Sequence, residues 1–209
     1  MNTLVGGTAT SDWLRSILGG RTPRPPAFRR HLVERHPMNN QALLRYHYET
    51  QVAVNALPAE VFDFLDDHRR LSAHMTKPSW KMAGSSMNIA MDEKEGRALG
   101  SRITLTGRIL GLSLKVEEVV TRYDPPRSKT WETVGSPRLL VIGSYAMGFV
   151  LKPRQGGLLL CVAIDYSPPP KGAAHLLGRL FGKSYARWCT NRMAHDATRH
   201  FSAIRGQTR

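Results

Sequence analysis

The amino-acid sequence predicts an α+β fold in which a curved, seven-stranded antiparallel sheet wraps around one long C-terminal helix. Six strand-like segments follow one another through the middle of the chain and are joined by short turns, which favours antiparallel neighbours. One further strand precedes them and is separated from them by two short helices. Residues 171–209 form the only helical segment long enough, at about 1.5 Å per residue, to cover the apolar face of such a sheet.

The first strand is predicted over Leu44–Ala56, where every second residue faces the same side. Pro58 then begins a helix in its first turn, and a second short helix is expected near Arg69–Met75. The six later strands are predicted at Met82–Met91, Ser101–Leu110, Leu112–Tyr123, Lys129–Val134, Leu139–Lys152 and Leu158–Ser167. Pro137 is expected to break the chain between the two strands that flank it.

The C-terminal helix is predicted from Gly172 to about Arg205, and its pattern is amphipathic. The edge expected to face the sheet consists of Ala173, Leu177, Phe181, Ser184 and Trp188. The same edge continues with Arg192, His195 and Arg199. The opposite side carries the basic residues Arg179, Lys183 and Arg187. We therefore expect the first half of this helix to contribute to the apolar core. Any polar site that the fold contains is expected beside the second half of the helix.

Residues 1–42 are interpreted as a basic, Pro- and Gly-rich N-terminal extension, and residues 43–209 as the folded domain. Within the extension, Ser11 has the side chain of a helix N-cap in front of a short helical pattern over Asp12–Leu18. The Pro-rich run Arg21–Pro26 that follows is typical of an extended linker.

The chain contains no apolar run that approaches the roughly 18–20 residues of a membrane span, and no pattern typical of a secretory signal. Its two cysteines, Cys161 and Cys189, lie in a strand-like and a helix-like segment without CxxC or metal-ligand spacing. We interpret them as reduced, buried thiols, which predicts a cytoplasmic protein.

The net charge is +14, because 30 Lys and Arg residues face 16 Asp and Glu residues. Such a charge attracts nucleic acid, anionic lipid or an acidic partner; an arginine-rich solvated surface is the alternative explanation. No aromatic-interleaved basic motif, zinc spacing or recognition helix accompanies the charge, so specific nucleic-acid binding is not expected. Weak contact with an anionic membrane or an acidic partner remains an open alternative.

Two stretches and the terminal helix together resemble a known superfamily. The first stretch, Val52–Asp67, is an apolar strand followed by a Pro-Ala-Glu helix start. The second, Val119–Glu132, ends one strand in Asp-Pro-Pro and resumes with a strand that bears Trp131. In this order they resemble the helix-grip fold of the START-like (SRPBCC) superfamily, which includes the birch-pollen allergen and the polyketide cyclase/dehydrase and lipid-transport families. The resemblance covers about Leu43 to Arg205.

The resemblance implies a cavity between sheet and helix for an apolar or amphipathic small molecule. Members of the superfamily bind lipids, sterols, polyketides, quinones or aromatic compounds, and some of them are enzymes. The candidate ligand-binding residues are Trp80, Met87, Met91, Trp131, Tyr145, Phe149, Tyr166, Phe181, Trp188 and Arg192. For each of them the alternative is an ordinary place in the core.

Candidate catalytic groups are His195, Tyr145 and Arg192, because an enzyme of this shape needs polar groups facing an apolar cavity. His74 is a candidate for the cavity entrance. The eight histidines have no metal-ligand spacing, and the sequence contains neither a GxSxG elbow nor a glycine-rich phosphate loop. We therefore expect no metal and no cofactor.

Three functional hypotheses follow from the sequence. The first is a carrier or sensor that binds a lipid, quinone, polyketide or other hydrophobic molecule without transforming it. The second is a cofactor-independent polyketide cyclase or dehydratase. The third is a basic interaction module for a protein, a nucleic acid or an anionic membrane surface.

Overall fold

The computed structural model describes residues 44–71, 86–109 and 112–207. The strands are β1 (Tyr46–Val54), β2 (Ser86–Met91), β3 (Arg102–Ile109), β4 (Leu112–Asp124), β5 (Ser128–Arg138), β6 (Tyr145–Arg154) and β7 (Gly157–Tyr166). The helices are α1 (Pro58–Asp66), α2 (His68–Leu71) and α3 (Gly172–Gln207). The N-terminal extension, His74 and Trp80 lie outside the described residues.

The strands form one sheet in the order β1-β7-β6-β5-β4-β3-β2, and every neighbouring pair is antiparallel. The predicted α+β architecture, with seven antiparallel strands, short helices after β1 and a long C-terminal helix, is confirmed. The first strand pairs with the last, so that Thr50 lies opposite Val162. This pairing brings the strand that precedes α1 next to the strand that precedes α3, and the two strands run in opposite directions.

Local sequence explains where α1 begins. Pro58 occupies the first turn, where its missing N–H group would have no partner within the helix. The Glu60 side chain accepts a hydrogen bond from the Leu57 N–H at 3.0 Å, which satisfies one of the free donors at this end. The helix then packs its buried face, which includes Phe62, edge-on against Phe149 of β6 with ring centroids 5.5 Å apart.

The path of the chain around Pro137 differs from the prediction. Strand β5 continues through Pro137 to Arg138, and β6 begins only at Tyr145 instead of Leu139. The reason is that β6 pairs with β5 only along Ser128–Glu132. Beyond that range β5 pairs, within the described part of the chain, with β4 alone, and a proline without an N–H group is tolerated there.

Two apolar clusters share the inner face of the sheet, which is the face turned towards α3. The main core joins α3 and α1 to β1, β5, β6 and β7, with Phe62, Phe149 and Leu160 fully buried. The second cluster consists of Ile103, Leu105, Val116 and Val120 on β3 and β4. Tyr123 and Tyr145 contact both clusters. Since α3 packs mainly on β1 and β7, the helix covers the main core rather than the second cluster.

The face that α3 turns towards the sheet is not the predicted one. Small residues make the contact, among them the buried Gly178, Gly182, Ala186, Thr190, Ala194 and Ala197. A methyl group on Gly178 would lie 2.7 Å from the Val141 carbonyl oxygen, and one on Gly182 would lie 3.0 Å from the Tyr166 ring. The helix therefore approaches its neighbours too closely for large side chains. The predicted edge from Ala173 to Trp188 is exposed instead.

Hydroxyl groups fix α3 to β1 across the same contact. Thr50 Oγ1 lies 3.1 Å from Thr190 Oγ1 and donates a hydrogen bond of 2.6 Å to Asn191 Oδ1.

Among the residues described, no helix is long and apolar enough to cross a membrane.

Candidate ligand-binding site

A pair of polar side chains lies between the two apolar clusters. Glu118 belongs to β4 and points to the same face as Val116 and Val120. Tyr145, the first residue of β6, donates a hydrogen bond from its hydroxyl group to Glu118 Oε1. The pair lies on the inner face of the sheet, where the neighbouring side chains are apolar.

Burial controls the protonation of this pair. Glu118 is 4% exposed, and burial raises its pKa to about 7, although the Tyr145 hydrogen bond and the charge of Lys129 act in the opposite direction. Burial and the neighbouring Glu118 raise the pKa of Tyr145 well above 10. At neutral pH the tyrosine is neutral, and the Glu118 carboxyl group exchanges between its protonated and its ionised form.

Helix α3 contributes two more polar groups near the pair. The interaction with Cys189, followed by burial, raises the pKa of Tyr185 well above 10. Burial raises the pKa of Cys189 to about 12, so its thiol is neutral and a poor nucleophile. Both groups also influence the pKa of Tyr145, which indicates that they lie on the same side of the sheet. The site therefore contains hydrogen-bonding groups from β4, β6 and α3.

A buried ion pair joins the end of α1 to β5. Lys129 is completely buried, and its Nζ donates to Asp66 Oδ1 at 2.5 Å and to the Asp66 carbonyl oxygen at 3.3 Å. The Tyr123 hydroxyl donates to the second Asp66 oxygen at 2.9 Å. Asp66 neutralises the charge of Lys129, and the ammonium group already has hydrogen-bond partners. Lys129 is therefore not available to bind an anionic ligand.

His68 connects the ion pair to the inner face. Its Nδ1 lies 3.1 Å from Lys129 Nζ, and its ring packs edge-on against Trp131 with the centroids 4.9 Å apart. Burial and then the charge of Lys129 lower the pKa of His68 to about 3, so the imidazole is neutral at physiological pH. The ring positions Trp131 and adds no charge.

Several residues predicted to bind ligand lie on this inner face. Trp131, Phe149 and Tyr166 are buried in the main core, and Tyr145 stands at its border. Met91 is partly buried against the second cluster. Met87 pairs with Gly107 through its backbone, and its side chain lies outside the described part. Their contact with a ligand stays a prediction.

The predicted residues on α3 lie elsewhere. Phe181 and Trp188 are exposed, and Arg192 forms a surface ion pair of 3.0 Å with Asp196. An open groove of about 850 Å³ runs along this face, and its described lining includes Trp188, Arg192 and His195. The expectation that Arg192, His195 and Arg199 continue an edge facing the sheet is therefore wrong: all three are exposed, and the small-residue face occupies that position.

Four polar residues of the inner face were not among those predicted from the sequence: Glu118, Lys129, Asp66 and His68. Glu118 could have been found from the alternation along β4. It is two residues from both Val116 and Val120 and therefore faces the same side of the strand. Lys129 likewise shares the parity of Trp131. Their partners could not be found in this way, because Asp66 and Lys129 are 63 positions apart in the chain. Among the residues described, no three His, Cys, Asp or Glu side chains are grouped as metal ligands.

Comparison with known proteins identifies the family. Residues 45–196, well over half of the chain, match the family described as polyketide cyclase / dehydrase and lipid transport. The chain belongs to this family. A search of the curated proteins found no match.

Solved structures support the fold of this member of the polyketide cyclase/dehydrase and lipid-transport family. It is similar to the Zhui aromatase/cyclase from Streptomyces sp. R1128, with 15% identity and a TM-score of 0.51 over 74% of this chain and 94% of that one. It is also similar to the di-domain aromatase/cyclase StfQ from the steffimycin biosynthetic pathway, with 12% identity and a TM-score of 0.52. That match covers 77% of this chain and 52% of StfQ. Identities this low support a shared fold only.

Proposed function

We propose that this protein is a carrier or sensor that binds a hydrophobic or amphipathic small molecule on the inner face of its sheet. The observation that supports this is the division of that face into two apolar clusters, of which α3 covers mainly one. Ile103 and Leu105 in the second cluster are fully buried, yet Ile89, Met91 and Tyr145 beside them are only partly buried. These half-covered apolar side chains form a surface that a ligand would bury.

The polar pair favours a particular ligand class. Glu118 and Tyr145 offer a carboxyl proton, a hydroxyl group and acceptor oxygens at the border of apolar surfaces. A hydroxyl or carbonyl group on the ligand can hydrogen-bond to them at little cost. A ligand carboxylate would be repelled by the ionised fraction of Glu118, and the nearby Lys129 is already paired with Asp66. The ligand is therefore an apolar molecule with a neutral polar end, as lipid alcohols, quinones and polyketides are.

Replacing Met91 by Trp tests the location of the site. The larger ring fills the space beside the second cluster, so the affinity for the neutral fluorescent probe N-phenyl-1-naphthylamine should fall by about tenfold or more. Leu99→Trp is the control, because Leu99 is 60% exposed and lies between β2 and β3, outside the strands of the sheet. A folded Met91→Trp protein that binds the probe as tightly as the wild type would remove this site from consideration.

A second candidate function is cofactor-independent dehydration or cyclisation of a polyketide-like substrate. The specific observation in its favour is Glu118, whose pKa of about 7 suits a group that donates and accepts protons at neutral pH. In a dehydration, the ionised Glu118 carboxylate takes a proton from the carbon next to the ketone. The resulting carboxylic acid passes that proton to the departing hydroxyl group, which leaves as water, and the carboxylate is restored. Tyr145 supplies the hydrogen bond that orients the carboxyl group.

Variants of the pair distinguish the two functions. If the protein is an enzyme, Glu118→Gln should slow dehydration of a long-chain β-hydroxyketone by about 10²–10⁴-fold, followed by the absorbance of the enone product. Tyr145→Phe should slow it less, because the acid remains. Both variants should still bind N-phenyl-1-naphthylamine. Wild-type protein that binds the hydroxyketone and leaves it unchanged would favour the carrier or sensor.

A further inference from the structure

The outward face of the first half of α3 is unusually apolar. Five of the nine large hydrophobic side chains exposed in the described part of the chain lie here. They are Leu176 (61% exposed), Leu177 (39%), Leu180 (63%), Phe181 (53%) and Trp188 (40%). Spacings of three, four and seven residues place them along one broad side of the helix. Scattered single leucines are normal on a protein surface, but a continuous stripe of this kind marks a contact site.

The same segment is strongly basic. Residues 171–191 contain no Asp or Glu and carry four basic residues, all of them exposed: Lys171, Arg179, Lys183 and Arg187. Lys183 and Arg187 follow the leucines at helical spacing, so positive charge borders the apolar stripe. A face that combines large apolar side chains with cations requires a partner that is apolar inside and anionic at its surface.

The charge and the apolar surface of each candidate partner decide which of them fits this face of α3. A second copy of the chain would bring this segment, with its four positive charges, against an identical one. Residues 1–42 have six arginines against Asp12 and Glu34, so their sequence does not offer the net negative charge that these cations require. Nucleic acid would satisfy the cations but would leave the exposed leucines in water. An anionic bilayer satisfies both, because its phosphate groups pair with Lys and Arg while its acyl chains accept Leu and Phe.

We propose that the outward face of α3 docks the protein on an anionic lipid bilayer. Leu176, Leu180 and Phe181 would enter the boundary between headgroups and acyl chains, while Lys183 and Arg187 pair with lipid phosphates or carboxylates. Trp188 has the amphipathic ring that is typical of the membrane interface. The proposal is independent of the ligand site, because its residues point away from the sheet. It adds a place where a hydrophobic ligand could be collected or released.

Vesicle sedimentation of the full chain tests the proposal. The wild type should bind phosphatidylcholine vesicles that contain about 30% phosphatidylserine, and should bind pure phosphatidylcholine vesicles at least about tenfold more weakly. Binding should weaken as salt is added. Leu176→Ser with Leu180→Ser should reduce the partition coefficient about tenfold or more, and Lys183→Glu with Arg187→Glu should do so as well.

The matched controls change the same residue types at exposed positions elsewhere in the fold. Leu99→Ser and Arg154→Glu should leave vesicle binding within about twofold of the wild type. All variants should keep the wild-type melting temperature and probe affinity, which separates failure of docking from failure of the ligand site.

Four results would overturn the proposal. Two of them are a wild type that binds neither kind of vesicle and a wild type that binds both equally. The third is a serine pair that binds as the wild type does while only the charge reversals weaken binding, which would assign the face to an acidic protein or nucleic acid. Finally, a dimer in solution that the serine pair dissociates would assign the face to a second copy.

Discussion

Asp66→Ala is expected to lower the free energy of unfolding by about 3–5 kcal/mol. Lys129 is completely buried and has Asp66 as its carboxylate partner, so the substitution leaves an uncompensated ammonium group away from water. The Tyr123 hydroxyl loses its acceptor at the same time. Denaturant unfolding followed by the fluorescence of the tryptophans measures the loss.

Two comparisons make this prediction specific. Arg127→Ala breaks an exposed ion pair with Asp124, at 2.7 Å, and should cost far less because water solvates both partners. Combining Asp66→Ala with Lys129→Met removes both charges and should recover a large part of the lost stability. If Asp66→Ala is no more destabilising than Arg127→Ala, the buried pair does not contribute as inferred.

Glu118→Gln is expected to change the pH dependence of stability by about 3 kcal/mol between pH 4.5 and 7. The unfolded chain releases this proton near the ordinary pKa of 4.5, whereas the folded protein holds it up to about 7. Stability from the protonated carboxyl group is therefore complete below pH 4.5 and is lost as the pH rises to 7. Glutamine does not titrate, so the free energy of unfolding of the variant rises relative to that of the wild type as the pH increases over this range.

The measurement must be the difference between the two proteins at each pH. His68 has its pKa lowered from 6.5 to about 3, so its contribution is present above pH 6.5 and is lost as the pH falls. The contribution of His68 to stability therefore rises with pH where that of Glu118 falls. The two opposite trends flatten the plot of wild-type stability against pH. His68 is unchanged in the variant, so its contribution cancels in the difference. A difference that stays constant from pH 4.5 to 7 would contradict a buried carboxyl group at position 118.

Much of the architecture could be predicted from the sequence because its determinants are local. Alternation along β1 placed Thr50 and Val52 on one face, and the register with β7 agrees. Short turns joined the later strands and made them antiparallel. Pro58 marked the start of α1. Pro137 was misinterpreted because a proline is tolerated where β5, among the residues described, pairs with β4 alone, and pairing partners are not a local property.

The sequence by itself determined the order of the elements, the antiparallel sheet and the long helix that ends the fold. Only the tertiary structure decided which side of that helix meets the sheet. A helical pattern with leucines on one side and glycines and alanines on another does not reveal how closely the helix approaches the sheet. A methyl group on Gly182 would lie only 3.0 Å from the Tyr166 ring of β7, and this close approach selected the small residues. The stripe from Leu176 to Trp188 was thereby left on the surface.

Tertiary structure also decided the polar interior. Glu118 and Tyr145 are 27 positions apart, and they meet because β4, β5 and β6 are neighbours in the sheet. Their protonation depends on how much water the fold removes from around them, and composition does not contain that quantity. Local patterns thus determine which elements form, whereas close approach and burial determine which side chains can act.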